Sequence, residues 1–161
     1  MDQDTRKQVL GKLIYGLHVV TAMPDDGPAV AATVTWLSQA SVKPPLLMVA
    51  LRDDSRLLRA VVEAGAFVVH LLEAGQRELA ATFFKPAVFA DGRLSGYSFT
   101  RGPTTGAPVL DDVPAWMELE VKESIERGDH TIVLGEVVNM GLPMPDFEPL
   151  ALRDTPWKYG R

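Results

Sequence analysis

Hydrophobic and polar positions along this chain mostly alternate with a period of two. Leu17 to Met23 is a β-rich run that stops at Pro24-Asp25-Asp26-Gly27-Pro28, a turn signal. The next run is the return strand of a hairpin. It sets Val30, Ala32, Val34 and Trp36 on one face and Ala31, Thr33, Thr35 and Leu37 on the other. Leu46 to Leu51 is continuously apolar and reads as a strand buried on both faces, and Phe67 to Leu72 is a further strand. From Val113 to Glu126 the alternation is clear. Met117, Leu119 and Val121 oppose Glu118, Glu120 and Lys122, the pattern of a half-solvated antiparallel strand. Glu126-Arg127-Gly128-Asp129 turns the chain, and His130 to Met140 returns as the partner.

Helical spacing appears three times. Residues 4–14 carry Val9, Leu10, Leu13 and Ile14 behind a cap at Asp4 or Thr5. Leu57, Leu58, Val61 and Val62 form one stripe, closed by Gly65. Gly75 to Phe84 sets Leu79 and Phe83 one turn apart, and Pro86 ends it. Residues 87–108, rich in Gly, Thr and Ser, read as an extended excursion with short elements only. A loop of that length is more often functional or interfacial than idle. With no repeat, low-complexity tract or linker, the chain reads as a single domain over 1–161. Hairpin-paired strands with short helices between them predict a mainly β fold, a small barrel and not a doubly wound parallel sheet.

Composition narrows the class. A chain of 161 residues, 47% hydrophobic and 23% charged, is a soluble globular domain with one core. The absence of cysteine excludes disulfides, thiolate metal sites and Cys nucleophiles, and fits a reducing, cytoplasmic compartment. The acidic start Met1-Asp2-Gln3-Asp4 is unlike a signal peptide, and no apolar run is long enough to cross a bilayer. A net charge of −5 with scattered Lys and Arg speaks against a nucleic-acid partner.

The familiar catalytic signatures are missing: no Rossmann glycine fingerprint, no P-loop, no paired-His zinc helix and no nucleophile elbow. His18, His70 and His130 are far apart, so no metal site is expected. Asp25-Asp26, Asp53-Asp54 and Asp111-Asp112 sit at turns, where solvated capping is the ordinary role. What remains suits a bound cofactor. Thr33 and Thr35 present two hydroxyls on one strand face, and Ser38, Gln39 and Ser41 follow in a segment that needs no paired neighbour before Pro44-Pro45 stops it. The same composition also describes an ordinary strand running into a polar loop. Arg52, Ser55 and Arg56 at a helix start would make a phosphate site; equally, Asp53, Asp54 and Ser55 would cap the helix while the arginines are solvated.

Thr33-Val34-Thr35-Trp36-Leu37-Ser38-Gln39-Ala40-Ser41-Val42-Lys43-Pro44-Pro45-Leu46 resembles the flavin-binding segment of the flavin reductase-like family. The resemblance continues through the helix after Ser55, the Phe67 to Leu72 strand and Gly106-Ala107-Pro108. It then takes in Gly128-Asp129-His130 with the strand to Val137, Pro149-Leu150 and Trp157-Lys158-Tyr159. It covers nearly the whole chain in order, and its Thr-Val-Thr-Trp-Leu-Ser-Gln-Ala-Ser wording is similar to the reductase module of flavodiiron proteins. The resemblance implies an antiparallel Greek-key split barrel of the FMN-binding type, normally a homodimer. It implies electron transfer from NADH or NADPH through FMN (or FAD) to a second acceptor, which is free flavin, a monooxygenase or another redox protein. It would place Thr33, Thr35, Trp36, Ser38, Gln39, Ala40 and Ser41 along the isoalloxazine and ribityl chain. Arg52, Ser55 and Arg56, assisted by Lys85, would hold the phosphate, and His130 would stand near the incoming nicotinamide as the catalytic residue.

Two positions depart from the family's pattern. His70 stands where members usually carry Asn, and Trp36 replaces a smaller residue common in stand-alone reductases, which narrows the flavin face. A flavin protein needs no acid–base pair of its own, because hydride transfer is the cofactors' chemistry. The competing reading is an FMN-binding electron carrier or sensor that pyridine nucleotides do not reduce directly; a flavin-free dimerisation module is the third.

Overall fold

The computed structural model describes residues 1–160. A short helix, α1 (Gln3–Leu10), leads in, capped by Asp2, whose carboxylate accepts from Thr5 N at 2.7 Å. It is shorter than the apolar spacing predicts and buries none of its residues, so Leu13 and Ile14 lie beyond it and exposed. The chain then forms β1 (His18–Ala22), β2 (Val30–Val34), β3 (Leu37–Ser41), β4 (Leu46–Arg52), α2 (Arg56–Ala64), β5 (Ala66–Leu71) and α3 (Arg77–Thr82). Two small hairpins fill the excursion: β6 (Phe89–Ala90) with β7 (Arg93–Leu94), and β8 (Phe99–Arg101) with β9 (Pro108–Leu110). The long pair β10 (Ala115–Arg127) and β11 (His130–Gly141) completes the strands.

Seven strands make one sheet in the order β2-β1-β5-β10-β11-β4-β3, and every pairing in it is antiparallel. The two end strands, β2 and β3, are consecutive in the chain and separated by Thr35 and Trp36 alone. Laid flat, seven strands would hold their outermost members about 29 Å apart. A link of two residues reaches roughly 10 Å. The sheet therefore curls until its two ends meet at Thr35-Trp36, and the bond from Ala50 N to Trp36 O at 2.9 Å carries the β3–β4 pairing back into that link.

The sheet packs α2 on one region of its core and α3 with residues 148–152 on another. In the first, Val20, Val49, Leu57, Val61, Phe67 and Leu119 meet; in the second, Leu17, Leu72, Leu79, Phe83, Leu94 and Leu150. α2 forms as its sequence dictates: Ser55 Oγ accepts from Leu58 N at 3.1 Å, and Gly65 ends the helix at φ 68°, a backbone state open to glycine. The second cluster is tied by main-chain bonds from Leu17 to Leu150 and from Leu150 to Leu72.

Three expectations are corrected. Ser38 to Ser41 is a strand paired to β4, an edge strand and not a free loop. β4 is buried on one face only: Leu47, Val49 and Leu51 are inside, whereas Met48 is exposed. Glu118, assigned to the solvent side by alternation, is wholly buried. β10 carries irregularities at Glu118/Leu119 and Val121/Glu123, and such shifts re-aim side chains.

Candidate functional site

A cavity of about 750 Å³ opens beside the seam of the sheet, a volume typical of small-molecule sites. Its walls come from four places. β2 and the seam supply Thr33, Thr35 and Trp36; the end of β4 and the start of α2 supply Arg52, Ser55 and Arg56. The turn after α3 supplies Phe83 to Ala87, and the C-terminal segment supplies Trp157, Lys158 and Tyr159.

Each predicted residue can now be placed. Thr33 Oγ1 donates to Ala80 O at 2.7 Å, and Thr33 N donates to Phe83 O at 3.0 Å, so this residue ties β2 to α3 while lining the cavity. Thr35 differs: its hydroxyl is buried and has no hydrogen-bond partner, and the same holds for the Nε1 of Trp36 beside it. A buried polar atom left unpaired costs about 1–3 kcal/mol. Both atoms are closed off from solvent, in residues whose other atoms line the cavity wall.

Arg52, Ser55, Arg56 and Lys85 gather at the cavity, Lys85 from the far side of the α3 turn. Ser55 Oγ caps α2, and its hydroxyl proton stays free to donate elsewhere, so capping does not consume the group at the cavity. Arg52 binds Asp54 in a two-pronged pair, Nε to Oδ1 at 3.0 Å and Nη2 to Oδ2 at 2.6 Å, which lowers the Asp54 pKa. Among the described residues, Arg56, Lys85 and Lys158 form no ion pair. A chain with net charge −5 thus concentrates free cations at one cavity, beside the N-terminus of a nine-residue helix.

Ser38, Gln39, Ala40 and Ser41 lie on β3 outside the cavity wall. His130 also stands off it, at the start of β11. Its Nδ1 is 2.7 Å from Asp129 Oδ1 and its Nε2 is 2.9 Å from Tyr159 Oη. Trp36 packs on both rings, with centroids 4.5 Å from His130 and 5.1 Å from Tyr159. Trp36 and Tyr159 are therefore the surfaces that the cavity presents in front of His130.

Sequence reasoning gave no role to Trp157, Lys158 or Tyr159. Trp157 packs edge-on against Phe84 at 4.7 Å, and both rings line the cavity. The signals for them were their place in the family resemblance, which assigned them no role, and a cluster of two aromatics around a cation after the last strand, a pattern with no period to read. His70, the other departure, bridges two elements at full burial: its Nδ1 lies 2.9 Å from Val19 O, and its Nε2 accepts from Leu110 N at 3.0 Å. Burial, against the Val19 hydrogen bond, pushes its pKa down to about 4.

Comparison with known proteins gives the family. Residues 10–158 match the model of the flavin reductase-like domain family. The chain is 37% identical over 147 residues to a flavin reductase (NADH) of Kitasatospora aureofaciens, covering 91% of this chain and 75% of the relative. It is 33% identical over 141 residues to diflavin flavoprotein A 1 of Synechocystis, covering 86% of this chain but 24% of that longer protein. Among solved structures it superposes on a Streptomyces globisporus NADH:FAD oxidoreductase in complex with NAD and FAD fragments. The TM-score is 0.80 at 27% identity, over 93% of this chain and 87% of that one. It also superposes on the styrene monooxygenase flavin reductase of Pseudomonas putida S12, with TM-score 0.75 at 29% identity over 90% of each chain. The chain belongs to the flavin reductase-like domain family.

Proposed function

We propose that this protein is an NAD(P)H-dependent flavin oxidoreductase that holds FMN, or FAD, in the cavity at the seam of its sheet. A mostly apolar cavity with Arg56 and Lys85, unpaired among the described residues, and the N-terminus of α2 at one side is the observation that carries this reading. A flavin has a flat apolar body, a rim of hydrogen-bonding atoms and an anionic phosphate, and the cavity offers a counterpart to each.

Thr33 can still accept at the polar rim although its proton is committed to Ala80, and Thr35 and Trp36 serve that rim once their enclosed polar atoms turn toward the cavity. Arg56, Lys85 and Ser55, with the first N–H groups of α2, serve the phosphate, and Arg52 joins them if it releases Asp54. Ser38, Gln39, Ala40 and Ser41 take no part in this wall, so the flavin contacts proposed here narrow to the other residues. A bound flavin supplies the hydride chemistry itself. The chain binds and orients it, and excludes water with Trp36, Phe84 and Trp157. His130 serves the nicotinamide side from behind Trp36 and Tyr159.

The finer assignments follow the same reading. The curled sheet with meeting ends supports the split-barrel form, and exposed Leu13, Ile14, Met140 and Leu142 support a homodimer. Among the described residues no helix is long and apolar enough to cross a membrane, in keeping with work in the cytoplasm. The electron acceptor is free flavin, a monooxygenase or another redox protein; the similarity to a monooxygenase's reductase favours delivery of reduced flavin to such a partner. Anaerobic titration tests the whole reading: the purified protein binds FMN, turns yellow and bleaches on adding NADH or NADPH. A protein that binds no flavin refutes it, and one that binds flavin yet is bleached by neither nucleotide is the electron carrier instead.

A further inference from the structure

The cavity wall in front of His130 contains Trp36 and Tyr159, and of the two Tyr159 is the one that hydrogen-bonds the histidine. The Tyr159 ring lines the cavity, and its hydroxyl reaches His130 Nε2 at 2.9 Å. The histidine's other nitrogen faces Asp129 Oδ1 at 2.7 Å. A carboxylate accepts only, so Nδ1 carries the proton. In the neutral imidazole Nε2 is then the acceptor, and the Tyr159 O–H donates to it. This is the opposite of the tautomer that prevails in free histidine.

The segment that brings Tyr159 here is seated closely. Gly160 follows at φ 71°, and a Cβ at that position would collide with the Trp36 indole. The chain therefore passes directly against Trp36, and glycine is what allows it. Trp36 in turn meets the Tyr159 ring edge-on at 68° and the His130 ring at 47°. Three rings fix one another, and two hydrogen bonds fix the rotation of the middle imidazole.

We propose that Tyr159 is a positioning residue for His130. It holds the imidazole in the Nδ1–H tautomer and in one rotamer, and so connects the Asp129–His130 pair to the wall of the flavin and nicotinamide cavity. This role rests on the flavin-reduction reading for its effect on turnover, but its structural half stands without it.

Two measurements test it, and Tyr159→Phe is the variant for both because it removes one oxygen and keeps the ring. First, 15N NMR of histidine-labelled protein without ligand, assigned by loss of signal in His130→Gln, reports the tautomer directly. The wild type shows His130 as Nδ1–H with Nε2 accepting, and Tyr159→Phe shifts Nε2 and moves the ring toward the Nε2–H form. Second, FMN-loaded protein is mixed anaerobically with saturating NADH, and with NADPH in parallel. Bleaching in Tyr159→Phe slows about tenfold, the scale expected when a reacting pair loses its alignment, while the dissociation constant for FMN stays within about twofold. A His130 spectrum unchanged by the substitution overturns the proposal, and so does unchanged bleaching. Loss of FMN affinity in step with rate also overturns it, since Tyr159 would then be a flavin contact. If neither nucleotide bleaches the wild type, the flavin-reduction reading fails and takes the kinetic role with it; the tautomer measurement still decides the structural half.

Discussion

Glu118 and Thr105 are joined twice: the Thr105 N–H and its hydroxyl both donate to Glu118 Oε1 at 2.8 Å. Thr104 N and Asn139 Nδ2 complete the shell, at 3.3 and 2.8 Å. A wholly buried carboxylate thus serves as the anchor for the 102–107 loop, where Gly102 approaches so closely that a Cβ would strike the carboxylate. Burial alone would raise its pKa, but the donors outweigh burial and hold it below the ordinary value.

Replacing Glu118 with Ala strands those donors. We expect a loss of about 3 kcal/mol in unfolding free energy by urea titration. Glu118→Gln also destabilises, because one of its two oxygens becomes an N–H group facing donors. FMN affinity should hold in both variants, since the 102–107 loop is not part of the cavity wall.

Thr33 and Thr35 should separate cleanly. Thr35→Val removes a hydroxyl that has no partner in the protein, so it leaves stability unchanged or raises it while weakening FMN binding about tenfold. Thr33→Val breaks the bond to Ala80 O and lowers stability by about 1 kcal/mol. Thermal unfolding with and without FMN distinguishes the two; equal effects from both variants would mean that the flavin lies elsewhere.

Arg56 and Lys85 are expected to read charge and not the ring. Arg56→Ala and Lys85→Ala should lower affinity for FMN and leave affinity for riboflavin, which has no phosphate, nearly unchanged. The FMN preference of the wild type should also shrink as salt rises. Fluorescence titration of both flavins against each variant provides the comparison.

His70 predicts an acid limit. Its folded pKa of about 4 lies below the unfolded value, so its neutral form is favoured by folding. The associated stability is complete above about pH 6.5 and declines as the unfolded chain takes up a proton that the native state refuses. The decline amounts to about 3 kcal/mol by pH 4. His18, pushed down to about 4 by burial, adds to it in the same direction. Glu118 follows the carboxylate rule, contributing above its unfolded pKa and losing that contribution as pH falls through its lowered folded value. Urea midpoints at pH 7, 5.5 and 4.5 should fall progressively.

Local pattern revealed most strands and the three helices because burial on one face imposes a period, and Ser55 and Gly65 bracket α2 with side chains suited to its ends. It failed where a residue's surroundings come from distant chain. Ser38 to Ser41 is a strand because β4 offers an open edge, which a run of small polar side chains does not reveal. Glu118 is inside because residues 104–105 come over it. At the site, the chemistry of Thr33, Thr35, Arg52, Ser55 and Arg56 allowed a ligand wall as well as an ordinary strand and helix cap, whereas Trp157 and Tyr159 depend on where the last segment folds back. Resemblance supplied the flavin; alone, the residues supplied a polar cavity wall and a cluster of cations.

The meeting of β2 and β3 at Thr35-Trp36 works like the buckle of a belt. Whatever draws the belt tighter or lets it out is felt first at these two residues of the cavity wall. Occupancy of the cavity should accordingly slow amide exchange at Ala50, whose N–H holds the Trp36 end of the buckle to β4, well before it is felt in the far strands β5 and β10.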